Sequence, residues 1–92
     1  MSGYVLARDA ERDLDNLWDF VAGESVEAAY RLIRQLCEAF AALARNPGMG
    51  HTRKDLTPLP VLFWPVANHL VIYPVKKLLI QIVAVEIDSI FG

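Results

Sequence analysis

The apolar residues of this chain change period once, between Asn46 and Leu56, and that change limits the folds open to it. Before the stretch Asn46-Pro47-Gly48-Met49-Gly50-His51-Thr52-Arg53-Lys54-Asp55-Leu56, apolar positions recur at helical spacing. After it they come in short runs rich in β-branched and aromatic residues. A helical half followed by a strand half predicts an α+β domain. A loop of this length in so small a domain is usually functional or well structured.

The helical half divides in two. Gly3-Tyr4-Val5-Leu6-Ala7 reads as a short opening strand, and Asp9 is a suitable N-cap for the first helix. Ala10, Leu14, Leu17, Trp18 and Val21 form one stripe, with Asp13, Asp15 and Asp19 off it. Gly23 is expected to close this helix in the left-handed conformation. Ser25 then caps a second helix whose stripe is Ala29, Leu32, Ile33, Leu36, Phe40, Leu43 and Ala44. Asn46-Pro47-Gly48 stops it. The short connection predicts an antiparallel helix hairpin.

In the strand half, Val61-Leu62-Phe63-Trp64 is continuous and β-rich, and Pro65 marks it as an edge strand or as its end. Ala67-Asn68-His69 reads as a turn, Leu70 to Tyr73 as a strand, and Pro74 to Lys77 as a second turn. Leu78 to Val85 reads as the last and longest strand, with Gln81 its one polar residue and both faces covered. The expected order is strand–helix–helix–strand–strand–strand, an antiparallel sheet with the helical hairpin packed on one face.

Composition narrows the class. Ninety-two residues make a single domain. A hydrophobic content of 54% is high for so small a domain, so a partner surface is expected. No apolar run approaches the roughly 20 residues of a membrane helix. The N-terminus lacks a basic segment followed by an apolar one, so no signal peptide is expected. The single cysteine, Cys37, suits a reducing cytosol and reads as a small hydrophobe at the edge of the second helix's stripe. Two distant histidines and one thiol have no metal-ligand spacing, and no cofactor is expected. Residues 8 to 27 hold seven acids and two bases, and residues 28 to 92 hold four acids and seven bases. The net charge of −2 argues against direct nucleic-acid binding.

An ordered set of short words resembles the ParE branch of the RelE/ParE superfamily, the toxin halves of bacterial toxin–antitoxin modules. The words are Tyr4, Ala10, Asp13-Leu14, Trp18, Ala28-Ala29, Phe40-Ala41-Ala42-Leu43 and Asn46-Pro47-Gly48-Met49-Gly50. They continue with Arg53-Lys54-Asp55-Leu56, Phe63-Trp64-Pro65-Val66 and Leu70-Val71-Ile72-Tyr73. The resemblance implies a non-enzymatic toxin of a plasmid-stabilisation type. It would inhibit DNA gyrase and be neutralised in a hetero-oligomer by a ParD-like ribbon-helix-helix antitoxin. Relatives often carry Arg where this chain has Leu62 and Pro74, and a basic residue with His where it has Val83 to Asp88. Gyrase inhibition is therefore expected to be weak or absent. The alternatives are a non-toxic member that only binds antitoxin, and a RelE-type endonuclease cutting messenger RNA on the ribosome. The latter needs cations around the scissile phosphate, and after residue 54 only Lys76 and Lys77 are basic.

The candidate antitoxin- or target-binding residues are Arg53, Lys54, His51, Trp64 and Tyr73. Arg53 and Lys54 suit a carboxylate or phosphate. An unperturbed histidine titrates near neutrality and could serve as a general base, but neither His51 nor His69 has an orienting carboxylate at recognisable spacing. Tyr73 either presents its hydroxyl at a strand end or packs as a half-buried aromatic. Trp18 and Trp64 also read as core residues. No nucleophile–base arrangement emerges, so no catalytic residue is assigned.

Overall fold

The computed structural model describes residues 3–74 and 80–87. Strand β1 (Tyr4–Leu6) leads into helices α1 (Arg8–Ala22) and α2 (Val26–Arg45). A short 3-10 turn, Pro47–Met49, follows, and then strands β2 (Val61–Val66), β3 (His69–Pro74), β4 (Ile80–Ile82) and β5 (Ala84–Ile87). The expected α+β architecture is present. None of the described helices is long and apolar enough to cross a membrane.

Two helix ends differ from expectation. The N-cap of α1 is Ala7, with no side-chain cap bond, and Asp9 sits inside the first turn. There it faces the positive end of the helix dipole together with Glu11. Gly23 is right-handed, at φ −60° and ψ −26°. The chain leaves α1 through N–H bonds from Glu24 and Ser25 to the Val21 carbonyl (3.0 and 2.9 Å), which need no left-handed residue. Ser25 behaves as expected: its Oγ accepts from the Ala28 N–H at 3.1 Å. Ser25→Ala should cost about 1 kcal/mol of unfolding free energy, read from a urea titration.

The strand half carries the larger correction. The stretch expected as one strand is two. β4 runs parallel to β1, pairing Tyr4 with Ile80, whereas β5 runs antiparallel to β3, pairing Val71 with Val85. Val83 lies between them and donates to the Ile72 carbonyl at 2.9 Å. Ile72 is already opposite Ala84, so the chain slips by one residue there, as in a bulge. Pro74 has no N–H with which to extend the ladder toward β4. Glu86 and Ile87 are exposed, so the end of β5 is open rather than covered. The segment expected as a turn after Pro74 lies largely outside the described residues, and Pro74 itself closes β3.

The three-stranded sheet has the order β2-β3-β5, which makes β2 an edge. Pro65 stays in register opposite Leu70, as an edge position permits. The expected three-residue turn is only Ala67-Asn68, and His69 belongs to β3 opposite Val66. Ala67 takes φ +54°, the first of two loop residues, where hairpins favour glycine.

The core joins both halves: Ala10, Leu36, Phe40 and Leu43 meet Val71, Tyr73, Ile80, Ile82 and Val85. Trp18 is not in it. Its ring meets Tyr30 edge-on across the helix hairpin, 4.9 Å between centroids. Cys37 is exposed, not a buried hydrophobe, and hydrogen bonds with Tyr4. One helix–sheet link is polar. Asp13, off the apolar stripe of α1, accepts the Val85 N–H through Oδ2 at 2.9 Å.

Candidate functional site

The loop after α2 is built against Tyr73. The side chain is wholly buried, so of the two readings of Tyr73 the packed aromatic holds and the hydroxyl presented at a strand end does not. Its hydroxyl donates to the Pro47 carbonyl at 2.8 Å and accepts the Gly50 N–H at 2.9 Å. Burial pushes its pKa up, and the Gly50 hydrogen bond opposes that. Gly50 is required by proximity: a Cβ there would lie 2.5 Å from the Tyr73 hydroxyl oxygen. Tyr73 is thus a positioning residue for the loop.

Beyond Gly50 the loop joins the sheet edge. The His51 N–H donates to the Phe63 carbonyl at 2.8 Å, and the Phe63 N–H returns to the His51 carbonyl at 2.7 Å. The Val61 N–H is taken by the Leu59 carbonyl, and Pro65 has none. The outward N–H groups of β2 are therefore taken or, at Pro65, absent, which blunts this edge. The same bridge brings two candidates together. The exposed His51 ring stacks on Trp64 at 6.1 Å and 23°. Trp64 is half-buried and also packs against the core, as its sequence reading allowed.

Arg53 and Lys54 follow. Arg53 grips Asp55 with a two-point fork, Nε to Oδ1 at 3.1 Å and Nη2 to Oδ2 at 3.0 Å. This contact holds the Asp55 carboxyl below its usual range. The Arg53 guanidinium is already spent on its own loop, whereas Lys54 is exposed. The structure brings His51 and Trp64 side by side, places Tyr73 beneath the loop, and turns Arg53 back on Asp55.

A second feature escaped the sequence. A groove of about 260 Å³ opens between α1 and β5. Leu17 and Val85 line it, flanked by Phe20 and Ile87, which are 76% and 70% exposed. Asp13, Asn16 and His69 are its polar residues. The Nδ1 of His69 is shut from solvent with no hydrogen-bond partner. The legible signal was Phe20, an aromatic off the core stripe beside the acids of α1. The expectation that His69 lay in a turn concealed the rest.

Burial pushes the His69 imidazole below its ordinary 6.5. The unfolded chain then binds this proton more readily than the folded one. Stability should fall as pH drops through 6.5 toward the lower folded value, and His69→Gln should flatten that slope. Urea midpoints from about pH 7.5 to about pH 5 test this. Among the described residues, no three His, Cys, Asp or Glu side chains gather as a metal site.

A family model described as the ParE toxin of type II toxin–antitoxin system, parDE, matches residues 4–89. Among solved structures, the fold is similar to a chain of the chromosomal ParDE toxin–antitoxin system from P. aeruginosa. The match has a TM-score of 0.73 at 23% identity and covers 95% of this chain and 98% of that one. A comparison with curated proteins finds no match.

Proposed function

The chain belongs to the ParE toxin family of type II toxin–antitoxin systems, and from that premise we propose that it acts by binding proteins, not by catalysis. Its immediate partner is a ParD-like ribbon-helix-helix antitoxin in the cytoplasm, and its target is DNA gyrase.

The disposition of the candidate chemical groups supports the binding reading. The Tyr73 hydroxyl is spent on Pro47 and Gly50, and the Arg53 fork on Asp55. His51 stacks on Trp64, a surface suited to contact. Leu62, where relatives often carry Arg, packs against the core and brings no charge to the sheet. Inhibition of gyrase is accordingly expected to be weak. Purified gyrase, titrated with the chain to micromolar excess in a supercoiling assay, tests the target. Inhibition that grows with dose supports it. Messenger RNA cut in the ribosomal A site would overturn the non-catalytic reading. Growth unaffected by expression of the chain alone would mark a member that only binds antitoxin.

Arg53 remains the proposed charged anchor of the antitoxin surface, with Lys54, His51 and Trp64 around it. A partner carboxylate would share or replace Asp55, as a planar guanidinium permits. Arg53→Ala should weaken antitoxin binding by about 1–3 kcal/mol. An unchanged dissociation constant by titration calorimetry would leave Arg53 only the task of closing its own loop.

A further inference from the structure

Helix α2 turns a second face outward, away from its buried stripe of Ala29, Leu36, Phe40 and Leu43. Glu27, Tyr30, Arg31, Arg34 and Glu38 stand exposed along it, three or four residues apart in turn. A shallow depression there is lined by Val26, Glu27, Tyr30, Arg31 and Arg34. Tyr30 is 63% exposed and Val26 53%. The Tyr30 ring is already held edge-on against Trp18, 4.9 Å between centroids. An exposed aromatic fixed in this way loses little side-chain freedom when a partner covers it. The charges beside it are weakly engaged. Arg31 reaches Glu27 at 3.8 Å with both side chains mostly in water, a contact worth little.

Along the face the charges run acid, base, base, acid: Glu27, Arg31, Arg34, Glu38. A partner of one charge sign would be attracted by half of this face and repelled by the other half. A second copy of α2 laid antiparallel meets it differently. About a two-fold axis beside Tyr30, Glu27 of each copy lies opposite Arg34 of the other, so the same ion pair forms twice. The two Tyr30 rings meet near the axis, where offset or edge-on rings attract. Sliding one helix by a turn would set Glu27 against Glu38 and Arg31 against Arg34, like charges at every position. The face thus favours one register and rejects its neighbour. We infer that this face of α2 joins two copies of the chain in an antiparallel two-fold dimer, with Glu27–Arg34 pairs on either side of a central Tyr30 contact. Contact centred on one helix face is smaller than a standard interface, so the dissociation constant is on the order of 10–100 µM. The inference uses no part of the antitoxin reading.

Sedimentation equilibrium of the purified chain at low salt, from about 5 to about 500 µM, tests it. The apparent mass should rise with concentration from 10.3 kDa toward twice that value. Glu27→Arg and Arg34→Glu should each raise the dissociation constant at least about tenfold, because each sets like charges against one another at both pairs. Mixed in equal amounts, the two variants should dimerise with each other, since both pairs then regain opposite charges. Both positions are exposed, so each variant should keep the wild-type circular dichroism spectrum. A wild-type chain that stays at 10.3 kDa throughout overturns the inference. If both variants of that monomeric chain instead lose antitoxin affinity, the face belongs to the antitoxin and the dimer falls. Dimers that survive both single variants, or variants that stay monomeric when mixed, overturn the Tyr30-centred register and the α2 interface with it.

Discussion

Gly50→Ala is expected to lower the unfolding free energy by about 2–4 kcal/mol, from overpacking together with strained or lost hydrogen bonds. The added Cβ would lie 2.5 Å from the Tyr73 hydroxyl oxygen and 3.0 Å from two ring carbons. Tyr73 cannot retreat, because its ring is wholly buried in the core with Val71 and Phe40. The loop must move instead, and both hydroxyl bonds stretch with it. Tyr73→Phe removes the oxygen and leaves the Gly50 N–H and the Pro47 carbonyl without their partner, a loss of about 1–3 kcal/mol. The double variant should cost less than the sum, since Phe leaves room for the new methyl group. Urea titrations of the two single variants and the double variant measure the coupling. A Gly50→Ala protein within about 0.5 kcal/mol of wild type would mean that the loop is free to shift.

Asp13→Ala is expected to cost about 1.5–3 kcal/mol, the range for a hydrogen bond to a charged group. The carboxylate is the only acceptor shown for the Val85 N–H, on the side of β5 away from β3. Its loss unpairs that N–H and loosens α1 from the sheet. Asp13→Asn keeps an acceptor oxygen and should recover much of the difference. Hydrogen exchange at the Val85 amide gives the local readout. Protection there should drop sharply in the Ala variant and partly return in Asn. Equal protection in all three proteins would show that the amide is shielded by burial rather than by Asp13.

Much of the fold was legible because helix periodicity is local. Ala29, Leu36, Phe40 and Leu43 of the α2 stripe are buried, with Leu32 and Ile33 half-buried beside them, and Ser25 caps the helix as its side chain suggests. The strand half was less legible. A continuous apolar run from Leu78 to Val85 has no period to show a break. The break at Val83 follows from pairing: β1 takes β4, β3 takes β5, and the two partners demand different directions. Gly23 misled for a related reason. Glycine permits the left-handed conformation without requiring it, and the Val21 carbonyl supplied another exit.

The site separates along the same line. His51, Arg53 and Lys54 were findable as polar residues in a glycine-flanked loop, since loop chemistry is written in neighbouring positions. That Arg53 folds back on Asp55, and that Tyr73 lies under the loop with its hydroxyl spent, depended on distances across the fold. The groove depended on them entirely. Asp13 and Val85 are 72 residues apart, and His69 reaches them from a third element. The sequence by itself determined the helices, the hairpin and the family words, because each is set by spacing within a few residues. Tertiary structure alone decided which polar groups are spent and which remain to meet a partner, because hydrogen bonding and burial are settled by neighbours that the chain brings together only on folding.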